Sequence, residues 1–237
     1  MKTLRRFAET KEGEFLCDED NNLYIKRGEE ISRLCLFDQH YYNLRVFSGV
    51  PVLEIDGLRM QLIKDFKTPL DYPRAVVAAL KLKKTDHVLD TCMGLGYTAI
   101  EAAKYAEQVI TCEVSEPVLK LAKYNPTSAS LFTSKNIHVL RGSIAEKISN
   151  MKKGAFDAII HDPPRFSHAT ELYSAEFYIE LRRVLKPEGK LFHYVGSVGK
   201  GKGRDISAEA IRRLEAVGFS ARKIVRLQGI LATVKRF

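Results

Sequence analysis

Cysteine is scarce in this chain and unevenly placed. Of 237 residues only Cys17, Cys35, Cys92 and Cys112 are cysteines, and none follows position 112. Their spacing matches no metal-ligand pattern, so zinc-finger and zinc-ribbon classes are set aside. Reduced, mostly buried thiols are expected, as in a cytosolic protein. No uninterrupted apolar run reaches the ~18 residues of a membrane span. Met1-Lys2-Thr3-Leu4-Arg5-Arg6 is basic but lacks the apolar segment of a secretory signal, so the expected location is cytoplasmic. There is no internal repeat and no low-complexity segment. Acidic residues are also scarce in one region: from Leu181 onward 14 Lys and Arg face only 4 Asp and Glu, a net of +10 in a chain of +9. The basic excess is therefore confined to the last quarter, and residues 1–180 are close to neutral.

What is present begins with Phe156-Asp157-Ala158-Ile159-Ile160-His161-Asp162-Pro163-Pro164. A short apolar run, the pattern of a buried strand, stops at a carboxylate followed by two prolines. Proline cannot extend a ladder and biases the residue before it away from the helical region. Asp162 is thus predicted at a strand's carboxyl end, the edge where open α/β sheets bind ligands. A second strand, His87-Val88-Leu89-Asp90, also ends on an acid. It runs through Thr91-Cys92-Met93-Gly94-Leu95-Gly96 into a helix predicted over Tyr97 to Lys104. Glycines there allow a tight turn and close approach of the backbone to a ligand at a helix N-terminus. A third strand, Gln108 to Glu113, again finishes on an acid. Glu113 lies seventeen residues past Gly96, near the ~20 at which an acid takes ribose hydroxyls.

In this order the motifs resemble those of class I S-adenosylmethionine-dependent methyltransferases, over residues 70 to 237. The resemblance implies an α/β fold: a Rossmann-like seven-stranded methyltransferase sheet with its last strand antiparallel. It also implies S-adenosyl-L-methionine as cofactor, with Asp90, Gly94 and Gly96 along its methionine part. Cys92 stands where the family has a first glycine. Glu113 would take the ribose, and Ser143 and Ile144 would flank the adenine, although the acid common near Ser143 is absent. Thr91, Cys92, Tyr97, Thr98, Val114 and Asp162 complete the implied cofactor surface. Asp162, Pro163, Pro164 and Arg165 would form the transfer loop. The whole chain looks most like an archaeal family of predicted methyltransferases that shares His-Asp-Pro-Pro-Arg-Phe-Ser. A dinucleotide-binding dehydrogenase is the rival, because Gly94-Leu95-Gly96-Tyr97-Thr98-Ala99 also fits Gly-x-Gly-x-x-Ala. Asp90 argues against it, since a carboxylate there would repel a pyrophosphate yet could meet a cation.

The ends of the chain agree with this topology. Lys190 to Val195 reads as the fifth strand and Ser207 to Val217 as a helix with Ser207 as N-cap. Ala221 to Leu227 and Ile230 to Lys235 read as strands joined at Gln228-Gly229. Residues 1–68 have a different texture: short alternating segments at Phe15–Cys17, Leu23–Lys26, Ile31–Cys35, Tyr41–Phe47, Val52–Ile55 and Leu58–Leu62, separated by turn pairs such as Asn21-Asn22 and Asp56-Gly57. A small N-terminal β-rich domain is expected there, with the S-adenosylmethionine-binding catalytic domain at 69–237. Such a unit could bind substrate, cover a sheet edge or support a homodimer.

The acceptor is read from charge and from the transfer loop. Lys200, Lys202 and Arg204 follow the fifth strand on the same edge as Asp162, and with Arg165 they suit an anionic substrate, RNA foremost. Methylation at pyrimidine C5 usually needs a cysteine at or after the Pro-Pro motif in such enzymes, and none follows Cys112. Amino-group methyltransferases carry an aromatic residue after Asp-Pro-Pro; here Arg165 takes that place and Phe166 comes next. Asp-Pro-Pro-x-Phe-Ser also recurs in bacterial ribosomal-RNA methyltransferases, and the expected reaction is methylation of RNA at a nitrogen. Leu172 to Tyr178 is similar to a helix of spermidine synthases, which transfer aminopropyl groups on the same fold, but Tyr173, Phe177 and Tyr178 read first as helical core. His161, His168 and His193 approach one edge. Strand alternation separates His161 from Asp162, so no metal is expected, and His193 is expected to contact substrate or, like Asp162, to serve as base. An RNA-binding protein with a vestigial fold is the non-enzymatic alternative.

Overall fold

A computed structural model describes residues 3–164, 169–196 and 206–235. The chain forms two compact units. One takes in residues up to Pro73 together with Gly94–Tyr97 and Ser115–Ser134; the other takes in Arg74–Met93, Thr98–Val114 and the chain from Lys135. The first unit therefore includes two stretches that a boundary near residue 68 assigns to the catalytic domain.

The first unit is built on eight strands in two antiparallel sheets. β1 (Arg5–Thr10), β2 (Gly13–Cys17), β3 (Leu23–Arg27) and β4 (Glu30–Arg33) form one; β5 (Cys35–Asp38), β6 (His40–Phe47), β7 (Val50–Ile55) and β8 (Leu58–Arg59) form the other. The hairpins follow from local chemistry. Ser48-Gly49 and Asp56-Gly57 both take positive φ at both central residues, the geometry that matches strand twist in a two-residue turn. Phe15, Leu23, Ile25, Leu44, Val52 and Leu53 form its apolar interior. β1 escapes sequence reading because Arg-Arg-Phe-Ala-Glu-Thr has no apolar alternation; it is held by pairing with β2. The segment read as a single strand, Ile31–Cys35, is divided. Leu34 is buried, donates its N–H to Leu23 and accepts from Leu44, and so turns the chain from one sheet to the next.

Among the described residues, seven more strands and seven α-helices follow: α1 (Asp71–Leu80), β9 (His87–Asp90), α2 (Tyr97–Ala103), β10 (Gln108–Glu113), α3 (Glu116–Tyr124), α4 (Ala129–Thr133), β11 (Ile137–Arg141), α5 (Ile144–Lys147), β12 (Phe156–His161), α6 (Ala175–Val184), β13 (Leu185–Tyr194), α7 (Ile206–Ala216), β14 (Phe219–Ile224) and β15 (Gly229–Val234). The seven strands of the second unit form one sheet in the order β11-β10-β9-β12-β13-β15-β14. β9 to β13 are parallel, and β15 runs antiparallel between β13 and β14. This is the methyltransferase-type sheet expected from the motifs. Val88, Leu89, Ile159, Ile160, Leu191 and Phe192 are all fully buried, as near-continuous apolar strands covered on both faces must be. None of the described helices is long and apolar enough to cross a membrane.

The order of strands positions the site. The chain leaves β9 toward β10 on one side and returns on its other side as β12, which opens a crevice at the carboxyl ends between them. Asp90, Glu113, Arg141, His161 and Tyr194 are the last residues of the five parallel strands and share that edge. At the far end of the chain, two details differ from expectation. Ser207 lies inside α7, buried, and is not its N-cap. The strand read over Ala221–Leu227 stops at Ile224, because Val225–Leu227 forms a 3-10 turn and Gln228 takes left-handed backbone (φ 48°).

Gly229 fixes the close packing of β15 on β13. A Cβ there would stand 2.6 Å from the Phe192 ring and 2.9 Å from the His193 carbonyl. Gly229→Ala is expected to cost about 1–3 kcal/mol of stability, the range of overpacked cores, read as a lower urea midpoint with an unchanged m-value.

Candidate functional site

Asp90 ends the central strand and is fully buried. It is placed by register: Thr111 of β10 and Ile160 of β12 lie opposite it. Thr111 donates its hydroxyl to Oδ2 at 2.7 Å and Thr98, in the first turn of α2, donates to Oδ1 at 3.3 Å. These two hydrogen bonds favour the anion, but they lose to burial. Desolvation pushes the Asp90 carboxyl up to about 8, and the negative neighbours Asp162 and Glu113 add to the rise. Asp90 thus feels both neighbouring acids, and at neutral pH it holds its proton.

Next to Asp90 on β12, His161 is also fully buried. Its Nδ1 accepts from the Thr91 hydroxyl at 2.7 Å and its Nε2–H donates to the Leu172 carbonyl at 2.9 Å. His193 lies opposite in register, its ring 4.5 Å away. Its Nε2 accepts from the Tyr178 hydroxyl at 2.7 Å, and its Nδ1–H points to the His161 carbonyl at 3.4 Å. Burial lowers both rings, His161 to about 4 and His193 well below the ordinary value. Both are neutral, in opposite tautomers, with each nitrogen engaged. The expectation that His193 contacts substrate or acts as base therefore fails: it has no exposed surface and no unused nitrogen. Among the described residues there is also no cluster of three His, Cys, Asp or Glu able to hold a metal.

The pair supports the transfer loop. Tyr173 closes a 3-10 turn at Thr170–Tyr173 and donates its hydroxyl to the Pro164 carbonyl at 2.9 Å. Ser174 caps α6 by accepting from Phe177 N–H, so Tyr173 belongs to a separate turn from Phe177 and Tyr178. All three are buried as core was expected to be, yet two of their hydroxyls make specific contacts. Asp162 is half-buried, Pro163 buried and Pro164 exposed. Arg165, Phe166, His168, Lys200, Lys202 and Arg204 lie outside the described residues.

The remaining predicted cofactor residues divide into open and closed positions. Glu113 is half-buried and Val114 is 70% exposed, an apolar side chain presented at the end of β10. Gly142 N–H donates to the Glu113 carbonyl, which brings the turn after β11 beside it. Ser143 takes the N-cap position of α5 without a side-chain cap bond, and Ile144 is buried. Thr91 is spent on His161. Burial pushes the Cys92 thiol up and Cys112 up to about 11, so neither is an activated thiolate. In the first unit, Gly94 takes φ 54° with open space where a Cβ would stand; Gly96 takes φ 78°, and a Cβ there would stand 2.5 Å from the Leu131 side chain. Tyr97 is buried, donating to the Pro51 carbonyl and accepting from Asn125, which makes it a structural residue and not a free ligand contact. Thr111 was missed in the sequence. A threonine inside an apolar strand, two residues before a terminal acid, is the signal that could have found it.

The donor set fits a cationic, ribose-bearing cofactor. A buried carboxyl at Asp90 that has no positive partner among the described residues, a second acid at the next strand end and an exposed apolar side chain after it suit a sulfonium or ammonium, a diol and an adenine. A cation would let Asp90 ionise and pair, a gain that uncharged or phosphate groups do not offer.

Asp90 also sets a pH dependence. Its folded value, about 8, lies above the ordinary 3.8. The folded chain therefore holds a proton that the unfolded chain has lost, and stability falls as pH rises from about 4 to 8. Asp90→Asn removes this penalty. Its melting temperature should exceed the wild type's by a margin that widens between pH 5 and 8; a constant margin would contradict the assignment.

Comparison with known proteins agrees with this geometry. A family model described as a methyltransferase domain matches residues 88–189. The spermidine synthase of Thermotoga maritima superposes with a TM-score of 0.66 at 18% identity, covering 99% of this chain and 79% of that one. A SAM-dependent methyltransferase of Aquifex aeolicus superposes with a TM-score of 0.51 at 23% identity, covering 69% and 89%. At these identities the two likenesses establish fold. In sequence, the uncharacterized protein MJ1233 of Methanocaldococcus jannaschii is 44% identical over 221 residues, 92% of this chain and 75% of that protein. The chain therefore belongs to the family of this archaeal protein.

Proposed function

We propose that the chain is an S-adenosyl-L-methionine-dependent methyltransferase that modifies RNA, or a comparable anionic substrate, at a nitrogen. The observation that carries the reading is Asp90, a carboxyl buried between β10 and β12 with no positive partner among the described residues, and with Glu113 and Asp162 as acidic neighbours. Asp90 would ionise against the cationic end of the cofactor, Glu113 would accept from the ribose hydroxyls, and Ser143 and Ile144 would border the adenine. The sulfonium, when bound, supplies an electrophilic methyl group. Asp162 is then suited to accept a hydrogen from an amino group held in line with it, while Tyr173 fixes the Pro164 carbonyl on the same loop. No cysteine follows Cys112, so this loop lacks the nucleophile of pyrimidine C5 methylation. The basic last quarter supports an anionic acceptor.

A second reading, aminopropyl transfer, is favoured by the superposition on the Thermotoga spermidine synthase over 99% of this chain. It would need an acidic surface for a polyamine, which the positive charge after Leu181 opposes.

Titration calorimetry with S-adenosylmethionine, its decarboxylated form and NAD separates these classes. Tightest binding of the first supports methyl transfer and of the second aminopropyl transfer; preference for NAD overturns both. Because Asp90 must give up its proton to pair with a cation, affinity should rise from pH 6 to 8, and Asp90→Asn should abolish that rise. Glu113→Gln should weaken binding by about tenfold, the worth of one charged hydrogen bond. Mass spectrometry of nucleosides from a deletion strain identifies the acceptor, and an unchanged RNA profile would exclude RNA.

A further inference from the structure

A polar cavity lies wholly within the first unit, and its lining includes none of the residues assigned to the transferase chemistry. Asn43 on β6 and Glu54 on β7 stand directly opposite in the antiparallel ladder, so their side chains emerge together on one face. Both are more than nine-tenths buried, at 4% and 8% exposure. They line a pocket of about 370 Å³, with Arg33, Tyr41 and Arg45 among its other walls.

The hydrogen-bond network fixes what this pocket presents. The Asp18 carboxylate can only accept, and it takes the Asn22 amide N–H groups at 2.9 and 3.2 Å. The Asn22 carbonyl oxygen therefore faces the other way, accepting from Arg33 and from Asn43 Nδ2 at 3.2 Å. That orientation leaves Asn43 Oδ1 buried with no hydrogen-bond partner among the described residues. Beside it, the Glu54 carboxylate lies 3.5 Å from Arg45 and 3.9 Å from Arg59, distances longer than a charged hydrogen bond. Two adjacent acceptors are thus held ready for adjacent donors.

A free cation such as a polyamine would supply donors, but Arg33 and Arg45 balance the carboxylates of Glu54 and Asp20 around the same cavity. A neutral planar group with a donor edge fits better. Among the nucleobases only guanine places two N–H groups side by side, at N1 and N2, and its O6 and N7 are the acceptors that arginine prefers. The Arg33 guanidinium lies over the Tyr41 ring, 5.9 Å from its centroid, a flat surface of the kind on which unstacked bases rest. We infer that this pocket binds a guanine base, with its N1–H and N2–H edge on Asn43 and Glu54. The inference goes beyond the transferase reading and does not depend on it.

The test is calorimetric titration of the full chain with GMP, IMP and AMP. GMP should bind, IMP, which lacks the N2 amine, about tenfold more weakly, and AMP least. Glu54→Gln, nearly isosteric, and Tyr41→Ala, at an exposed position, should each reduce GMP affinity about tenfold while circular dichroism stays unchanged. A single-stranded oligonucleotide carrying one guanine distinguishes the source: tighter binding than GMP points to RNA, equal binding to a free nucleotide. Equal affinity for GMP and AMP, no binding of either, or full GMP affinity in folded Glu54→Gln would overturn the inference. None of those results would touch S-adenosylmethionine binding, so the two readings fail separately.

Discussion

A carboxyl buried at the end of the middle strand is the constraint on which the second unit's chemistry depends. Asp90 has a strand on each side and hydroxyls from Thr98 and Thr111 as its partners, which are too few to hold a bare anion away from water. Folding therefore leaves it protonated, and among the described residues no cation stands beside it. Such a site is selective through an unmet need and requires no positive group of its own. A ligand with a fixed positive charge gains an ion pair in a low-dielectric setting, whereas a neutral or anionic one gains nothing. The parallel sheet makes this arrangement inexpensive in sequence, since every strand from β9 to β13 delivers its last residue to one edge.

The Pro-Pro loop after β12 is positioned by a different device. His161 and His193 look like chemistry in the sequence, at the right edge and beside the right carboxylate. In the structure they are scaffolding. Each ring nitrogen is committed, and the two rings join β12 and β13 to the Tyr173 turn and α6: His161 donates to Leu172 in either charge state, whereas His193 accepts from Tyr178 only while its ring is uncharged. Pro164 then finds its carbonyl fixed by Tyr173. The stiff dipeptide is thus held at its far end as well as at the strand.

What the sequence revealed and what it hid have separate physical causes. The parallel strands, the glycine turn and the three terminal acids were legible because each is a local event: an apolar run, a positive-φ turn, a polar stop. The antiparallel β15 was legible too, though its turn was misplaced by the 3-10 segment at Val225–Leu227. Hidden were features made by partners distant in the chain. Thr111 matters only because register sets it opposite Asp90, His193 is closed only because Tyr178 reaches it, and β1 is a strand only because β2 pairs with it. Asn43 and Glu54 belong to this class as well, ordinary residues eleven positions apart that a hairpin turns into neighbours.

The neutral histidine pair has a consequence for the protein's behaviour in acid. His161 and His193 in the unfolded chain take protons near 6.5, and the folded chain refuses them until far lower pH. Below about 6.5, acidification therefore favours unfolding through these two rings. Asp90 pulls the other way, since its folded form keeps a proton up to about 8 that the unfolded chain releases near 3.8. Between 8 and 6.5 only the carboxyl acts and acidification stabilises; below 6.5 the two imidazoles oppose it. The proton inventory of three buried side chains thus places a stability optimum on the weakly acidic side of neutrality, on the opposite flank from the alkaline conditions in which Asp90 is already charged and ready to bind.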